Sequence, residues 1–159
     1  DEVEDKNLKY QDYVVSDIFS KKSEVLGKRH NLPYVIGIVE DLKTIVKPGD
    51  IVISCVDNSK FRKHLFEWQD TADNFWIDLR SHGNTVARFC RSKDNIISKL
   101  LDTLPKEVEK NSGSCQRAVD LEAGKIQMGN RIIAQIGCQT LLNHIRNEPQ
   151  QESYYIRAF

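Results

Sequence analysis

The residues best placed to do chemistry follow an uncharged run. Ile51-Val52-Ile53-Ser54-Cys55-Val56 carries no charge, and Asp57-Asn58 ends it. Such a run suits a strand buried on both faces, as in parallel sheets. Open α/β sheets bind ligands beyond the carboxyl ends of their strands, which is where Asp57 falls. A carboxylate there can hold Mg²⁺ against nucleotide phosphates. The same pair also reads as a helix cap, accepting N–H groups of the next turn. Residue chemistry alone leaves both readings open.

Two further groups could react. Cys115 follows a polar stretch with Ser112-Gly113-Ser114. A nucleophilic thiolate needs a lowered pKa, which a helix N-terminus or Arg117 can supply. The competing reading is a small cysteine packed at a helix start. His82, in Ser81-His82-Gly83, follows a strand end and suits either acid–base work or a plain turn. His30, His64 and His144 lack metal-ligand spacing, and no cysteines are paired as Cys-x-x-Cys, so zinc is not indicated. Cys55 and Cys138 lie in apolar runs and read as core, as does Cys90.

Composition narrows the class. Lys plus Arg and Asp plus Glu both total 23, for a formal net charge of zero. That balance argues against a nucleic-acid binder, which needs a basic surface for counterion release. It leaves room for a small basic pocket. With 159 residues, 40% hydrophobic and 29% charged, one packed domain is expected rather than disorder. No apolar run approaches the roughly 20 residues of a membrane span. Asp1-Glu2-Val3-Glu4-Asp5 does not resemble a signal peptide, and the wide cysteine spacing suits reduced thiols. The expectation is a cytoplasmic protein that engages neither membrane nor nucleic acid.

The elements that must position these groups can be read along the chain. Ser16-Asp17 offers an N-cap for a helix running to about Gly27, closed by Lys28-Arg29-His30. Tyr34-Val35-Ile36-Gly37-Ile38-Val39 reads as a strand, residues 40–46 as a short helix, and Pro48-Gly49-Asp50 as a turn. After the run at 51–56, Phe61, Leu65 and Trp68 recur at helical spacing. Phe75 to Leu79 reads as a strand, Ser81 to Asn84 as a turn and Thr85 to Cys90 as the next strand. Residues 92–104 and 117–146 read as helices, the latter with Ile132, Ile133, Ile136, Leu141, Leu142 and Ile145 on its apolar face. Tyr154 to Phe159 has strand composition. This order indicates α/β, and right-handed crossovers would make the sheet mainly parallel. The division expected is a domain over 1–147 and a tail over 148–159 that forms an edge strand.

Four blocks, in order, resemble the ThiF, MoeB and ubiquitin-activating superfamily. Asp57-Asn58 with Arg62 is similar to its D-N-x-x-x-R after a hydrophobic strand. Asp1 to Gln11 resembles its D-x-V-x-x-x-N-L-x-R-Q, and Asp17 to Glu24 its D-x-G-x-x-K-A-E. Ser114-Cys115-Gln116-Arg117-Ala118 with Gly129-Asn130-Arg131-Ile132-Ile133-Ala134 resembles S-C-x-x-A and a later I-N-x-x-x-A. The resemblance implies a Rossmann-like fold and an ATP-dependent reaction. A ubiquitin-like or sulfur-carrier protein would present its C-terminal carboxylate to the α-phosphorus of ATP, giving an acyl adenylate and pyrophosphate. The burden is positioning and charge neutralisation.

On the matching positions, Asp57 would hold Mg²⁺ and Lys22 would meet the phosphates. Asn7 would contact the nucleotide, with Gln11 supporting its loop. Asn58 belongs to the same nucleotide-binding set, and Arg62 would orient the loop after Asp57. Cys115 would be an acceptor for thioester or sulfur transfer. A homodimer is expected from the resemblance alone. Each residue has a duller reading. Lys22 beside Lys21 suits a solvated helix face, Asn7 and Gln11 suit turns, and Arg62 suits a surface ion pair worth under about 1 kcal/mol.

The sequence departs from the family in two ways. No G-x-G-x-x-G phosphate loop is present, nor the acidic residue that holds the ribose. In the family both lie just before the position of Asp1, so the expectation is a fold truncated at its N-terminal βα unit, as a fragment or one half of a split protein. Tyr10 stands where the family has Arg, and loses a bidentate donor to phosphate. The alternative is therefore a catalytically inactive partner subunit or scaffold of the same fold. A redox dinucleotide-binding domain is opposed by the missing glycine motif.

Overall fold

The computed structural model describes residues 1–9, 11–37, 44–69, 74–91, 120 and 122–157. The chain divides into two units, Asp1–Leu42 and Lys43–Phe159.

In the first unit the chain start lies alongside residues 19–22. Val3 N–H donates to Ser20 O at 2.9 Å, Phe19 N–H to Val3 O at 3.0 Å, and Lys22 N–H to Asp1 O at 3.0 Å. Val3 is buried beneath this pairing. Helix α1, Lys22–His30, starts later than the Ser16-Asp17 cap predicts. The Asp17 carboxylate is used elsewhere. It accepts Val14 N–H at 2.8 Å, closing a 3₁₀ turn at Val15–Asp17, and pairs with Arg29. The helix ends as expected on Lys28, Arg29 and His30. Asn31 takes the left-handed conformation at φ 53°, and Leu32 N–H returns to Gly27 O at 2.8 Å. The strand predicted over Tyr34–Val39 is not formed where it is described. Residues 33–37 are irregular, with Val35 and Ile36 exposed. β-branched composition makes a strand only where a neighbouring strand pairs with it. Residues 38 and 39, most of the predicted helix at 40–46, and the helix predicted at 92–104 lie outside the described residues.

The second unit is α/β. It contains β1 (Ile51–Ser54), α2 (Ser59–Gln69), β2 (Phe75–His82), β3 (Thr85–Arg91), α3 (Gly129–Ile145) and β4 (Ser153–Arg157). The strands lie in the order β1-β2-β3-β4. The expected mainly parallel sheet is corrected here to a mixed one among the described strands: β1–β2 is parallel, while β2–β3 and β3–β4 are antiparallel. The cause is local. Gly83-Asn84 joins β2 directly to β3, with Gly83 at φ 62° in the first central position of a two-residue turn. So short a connection permits only an antiparallel pair. The tail strand then pairs beside β3, as its composition predicts.

Strand periodicity divides the side chains of β2 between two faces. Phe75, Ile77 and Leu79 join Val86, Cys90 and Ile133 in one core, with Ile132, Ile136, Leu141 and Ile156 packed against it. Trp76, Asp78 and Arg80 alternate with them. Leu65 and Trp68 of α2 are buried at the predicted spacing, Phe61 is half-buried, and Phe66, outside that pattern, is buried as well, with the Arg91 guanidinium 4.4 Å over its ring. The helix predicted over 117–146 is shorter in its described part, since residues 125–128 are not helical. α3 begins where it can rest on the β2–β3 turn. Gly129 N–H donates to Gly83 O at 3.1 Å, and Met128 N–H to Asn84 Oδ1 at 2.8 Å. A side chain at residue 129 would run into the Gly83 carbonyl.

Cys55 and Cys138 are exposed, against their expected core positions, whereas Cys90 is buried as expected. β1 lies at one end of the sheet order, so Ile53 is 47% exposed, and past the buried Ser54 the chain brings Cys55 to the surface. Cys138 follows Gly137, the position that faces Leu79, and is therefore turned away from the sheet. No described helix is long and apolar enough to cross a membrane.

Two substitutions should move stability in opposite directions. Phe19 sits at φ 69° with 82% of its surface exposed. Left-handed strain costs an L-residue roughly 1–2 kcal/mol, and glycine's extra chain entropy returns about 0.5–1 kcal/mol of that. Phe19→Gly therefore raises stability by up to about 1 kcal/mol. Gly129→Ala lowers it by about 1–3 kcal/mol through overpacking. Urea unfolding of each variant measures both signs.

Candidate functional site

The site grows from the parallel pairing of β1 with β2, which sets Ser54 opposite Asp78. Asp78 is 0% exposed. An isolated carboxylate buried this deeply would be prohibitively costly, so it must be matched. Its Oδ1 accepts from Ser54 Oγ at 2.8 Å and lies 3.2 Å from Arg62 Nε. Its Oδ2 accepts from Arg80 Nε at 2.7 Å. Trp76 Nε1 donates to the same Ser54 hydroxyl at 3.0 Å. Arg80 also lies 4.5 Å over the Phe89 ring, a cation–π contact that holds its guanidinium flat against β3.

This network reaches the loop between β1 and α2. The Arg62 guanidinium donates to the Val56 carbonyl, one residue before Asp57. Asn58 Oδ1 accepts Phe61 N–H at 3.1 Å, and Arg62 N–H donates to Asn58 O at 3.1 Å. Asn58 is thus the cap of α2. The two readings of the Asp57-Asn58 pair separate between the two residues. Asn58 caps the helix. Asp57 stays exposed, and no hydrogen bond or ion pair holds its carboxylate among the described residues.

Arg62 is not the surface ion pair of its duller reading. Its side chain is 11% exposed, and its partner is fully buried. Besides that pairing, its guanidinium holds the Val56 carbonyl, one residue before Asp57. Asp78, Ser54, Trp76 and Arg80 carry this arrangement and were not singled out from the sequence. The available signal was a lone acid inside Phe75-Trp76-Ile77-Asp78-Leu79, a charge on a strand otherwise read as core.

The first unit holds the other candidates. Lys22 opens α1, and its Nζ lies 2.9 Å from Asp1 Oδ2. It lines a cleft of about 430 Å³ with Asp1, Lys21, Ser23, Val35 and Ile36. Lys21 pairs in turn with Glu2 at 2.8 Å and holds that carboxyl below its ordinary range. Asn7 is 2% exposed, and its Oδ1 accepts Glu4 N–H at 2.8 Å. Gln11 N–H donates to Asn7 O at 3.0 Å. Both residues therefore close turns in this structure. Lys22 belongs to the first unit and Asp57 to the second. Tyr10 and Cys115 lie outside the described residues. His82 ends β2 and is exposed, and burial pushes the Cys90 thiol up, so it stays protonated.

Among the described residues no cluster of three or more His, Cys, Asp or Glu side chains could cage a metal ion. A single free carboxylate nevertheless fits Mg²⁺, which commonly takes one or two carboxylates and completes its shell with phosphates and water. No family model matches the chain, and no curated protein matches it.

The two acids should behave oppositely on substitution. Asp78→Asn leaves two guanidiniums facing a neutral amide, and breaking a buried pair this way costs about 3–5 kcal/mol. Asp57→Ala removes an unpaired surface carboxylate and changes stability by less than about 0.5 kcal/mol. Equilibrium urea denaturation distinguishes them, and equal losses would contradict the division of roles.

Proposed function

We propose that this chain is the magnesium-handling portion of a ThiF-like adenylyltransferase acting on a ubiquitin-like or sulfur-carrier protein. The observation that carries the reading is Asp57. It is an exposed carboxylate with no partner among the described residues, at the carboxyl end of a parallel strand, on a loop pinned at both ends, within a D-N-x-x-x-R block. The described sheet is mixed, and its parallel β1–β2 pair is the part that supports a Rossmann-like reading, with β3 and β4 as an antiparallel extension.

In this reading the carrier's carboxylate oxygen attacks the α-phosphorus of ATP. A new P–O bond forms, the α–β bridging bond breaks, and pyrophosphate leaves. Bound Mg²⁺ supplies charge neutralisation on the phosphates. Asp57 would hold the metal. By the resemblance Lys22 would meet the phosphates; in the structure it pairs with Asp1 within the first unit. Arg62 and Asn58 would keep the Asp57 loop in place, while Asn7 would contact the nucleotide and Gln11 would support its loop. Cys115 would accept the activated carrier in a later transfer.

The test is exchange of labelled pyrophosphate into ATP by the full-length protein, given a carrier ending in Gly-Gly. Asp57→Ala is expected to lower exchange by at least about 10²-fold with unaltered stability, as losing one preorganised charge contact does. Undiminished exchange by that variant removes Asp57 from the site. Absence of exchange in the unaltered protein favours the inactive partner subunit. Tyr10, in the family's Arg position, is the residue that points that way.

A further inference from the structure

We infer that Asp78 is a positioning residue that acts through Arg62 to fix the loop presenting Asp57. Its functional meaning rests on the reading above, but the mechanical claim stands on geometry alone. One carboxylate oxygen engages both ends of a short stretch of chain. Asp78 Oδ1 takes the Ser54 hydroxyl at 2.8 Å, which holds the last residue of β1. It also holds Arg62 at 3.2 Å, and Arg62 holds the Val56 carbonyl. The Asn58 cap closes the far side.

The second oxygen keeps this oxygen in place. Oδ2 is bound by Arg80 at 2.7 Å, and Arg80 is itself stacked on Phe89. The carboxylate cannot rotate toward one arginine without losing the other. Asp78 is entirely buried, so it does not itself meet a ligand in solution. What it sets is the position of its neighbour across the sheet edge.

An amide at residue 78 can accept on one side only. Its NH₂ group faces a guanidinium with no acceptor, so one of the two arginines loses its bond and the clamp on Arg62 weakens. Lysine at residue 62 keeps a charge for Asp78 but lacks the fork that also reaches Val56.

The test is backbone ¹⁵N relaxation on the full-length protein and on Asp78→Asn, Arg62→Lys and Ser54→Ala. In the unaltered protein, order parameters at residues 55–58 should match rigid backbone, about 0.8 or above, and fall below about 0.6 in Arg62→Lys and Asp78→Asn. β2, β3 and α3 should stay rigid. Should Asp78→Asn fail to fold, Arg62→Lys and Ser54→Ala still decide. Unchanged order at 55–58 in folded variants overturns the inference. Pyrophosphate exchange supplies a second readout. The released loop should raise the KM for magnesium-ATP about tenfold more than it lowers kcat, and excess Mg²⁺ should restore rate. A kcat loss that excess Mg²⁺ does not restore overturns the link to Asp57. If the full-length protein exchanges nothing, the functional reading falls, and the order parameters still judge the loop.

Discussion

A carboxylate removed from water must be matched by charge, and Asp78 is matched by arginines from two different elements. That requirement ties the second unit together. Arg80 comes from the same strand, so it fixes the carboxylate locally. Arg62 comes from the first turn of α2, so the ion pair ties that end of the helix to β2. Ser54 comes from β1, so the parallel register is set by a side-chain bond as well as by the backbone ladder. The loop between β1 and α2 has little freedom left once these contacts form.

The opposite face of β2 is held by different physics. There the sheet is apolar, and α3 approaches it closely because glycines remove side chains from the contact. At Gly137 a Cβ would stand 2.6 Å from Leu79 Cδ1. At Gly129 the helix start meets the turn carbonyl between β2 and β3. A polar network on one face and close packing on the other leave the strand fully buried through its centre. Beyond β1 the chain reaches the surface, where the carboxylate of Asp57 has no internal partner among the described residues.

The legible parts of this fold were those decided locally. The turn predicted at Ser81–Asn84 forms at Gly83-Asn84 because β2 runs on to His82, and the spacing of Leu65 and Trp68, the strand from Phe75 and the tail strand follow from short-range pattern. The basic end of α1 does as well. The departures were decided at longer range. Tyr34 to Ile36 has strand composition but no strand partner in the described structure. Asp17 was drawn from helix capping by a 3₁₀ turn and by Arg29. Cys55 and Cys138 have core composition but lie at a sheet edge and on an outward helix face. Asp57 could be found because an acid after an apolar run is conspicuous. Asp78 could not, because one charge inside a strand carries no sign of the two arginines that will meet it. Its arginine partners are separated from it by residues 63–77 in one case and by a single residue in the other.

The coupling between Asp78 and Arg62 bears most directly on this account. A double-mutant cycle with Asp78→Asn and Arg62→Met, read by urea denaturation, isolates it from the cost of each single change. A buried pair that organises α2 and the Asp57 loop should give a coupling energy above about 1 kcal/mol. Losses that add to within about 0.3–0.5 kcal/mol would mean that the two side chains contribute independently, and the central contact would not be the one that holds the site.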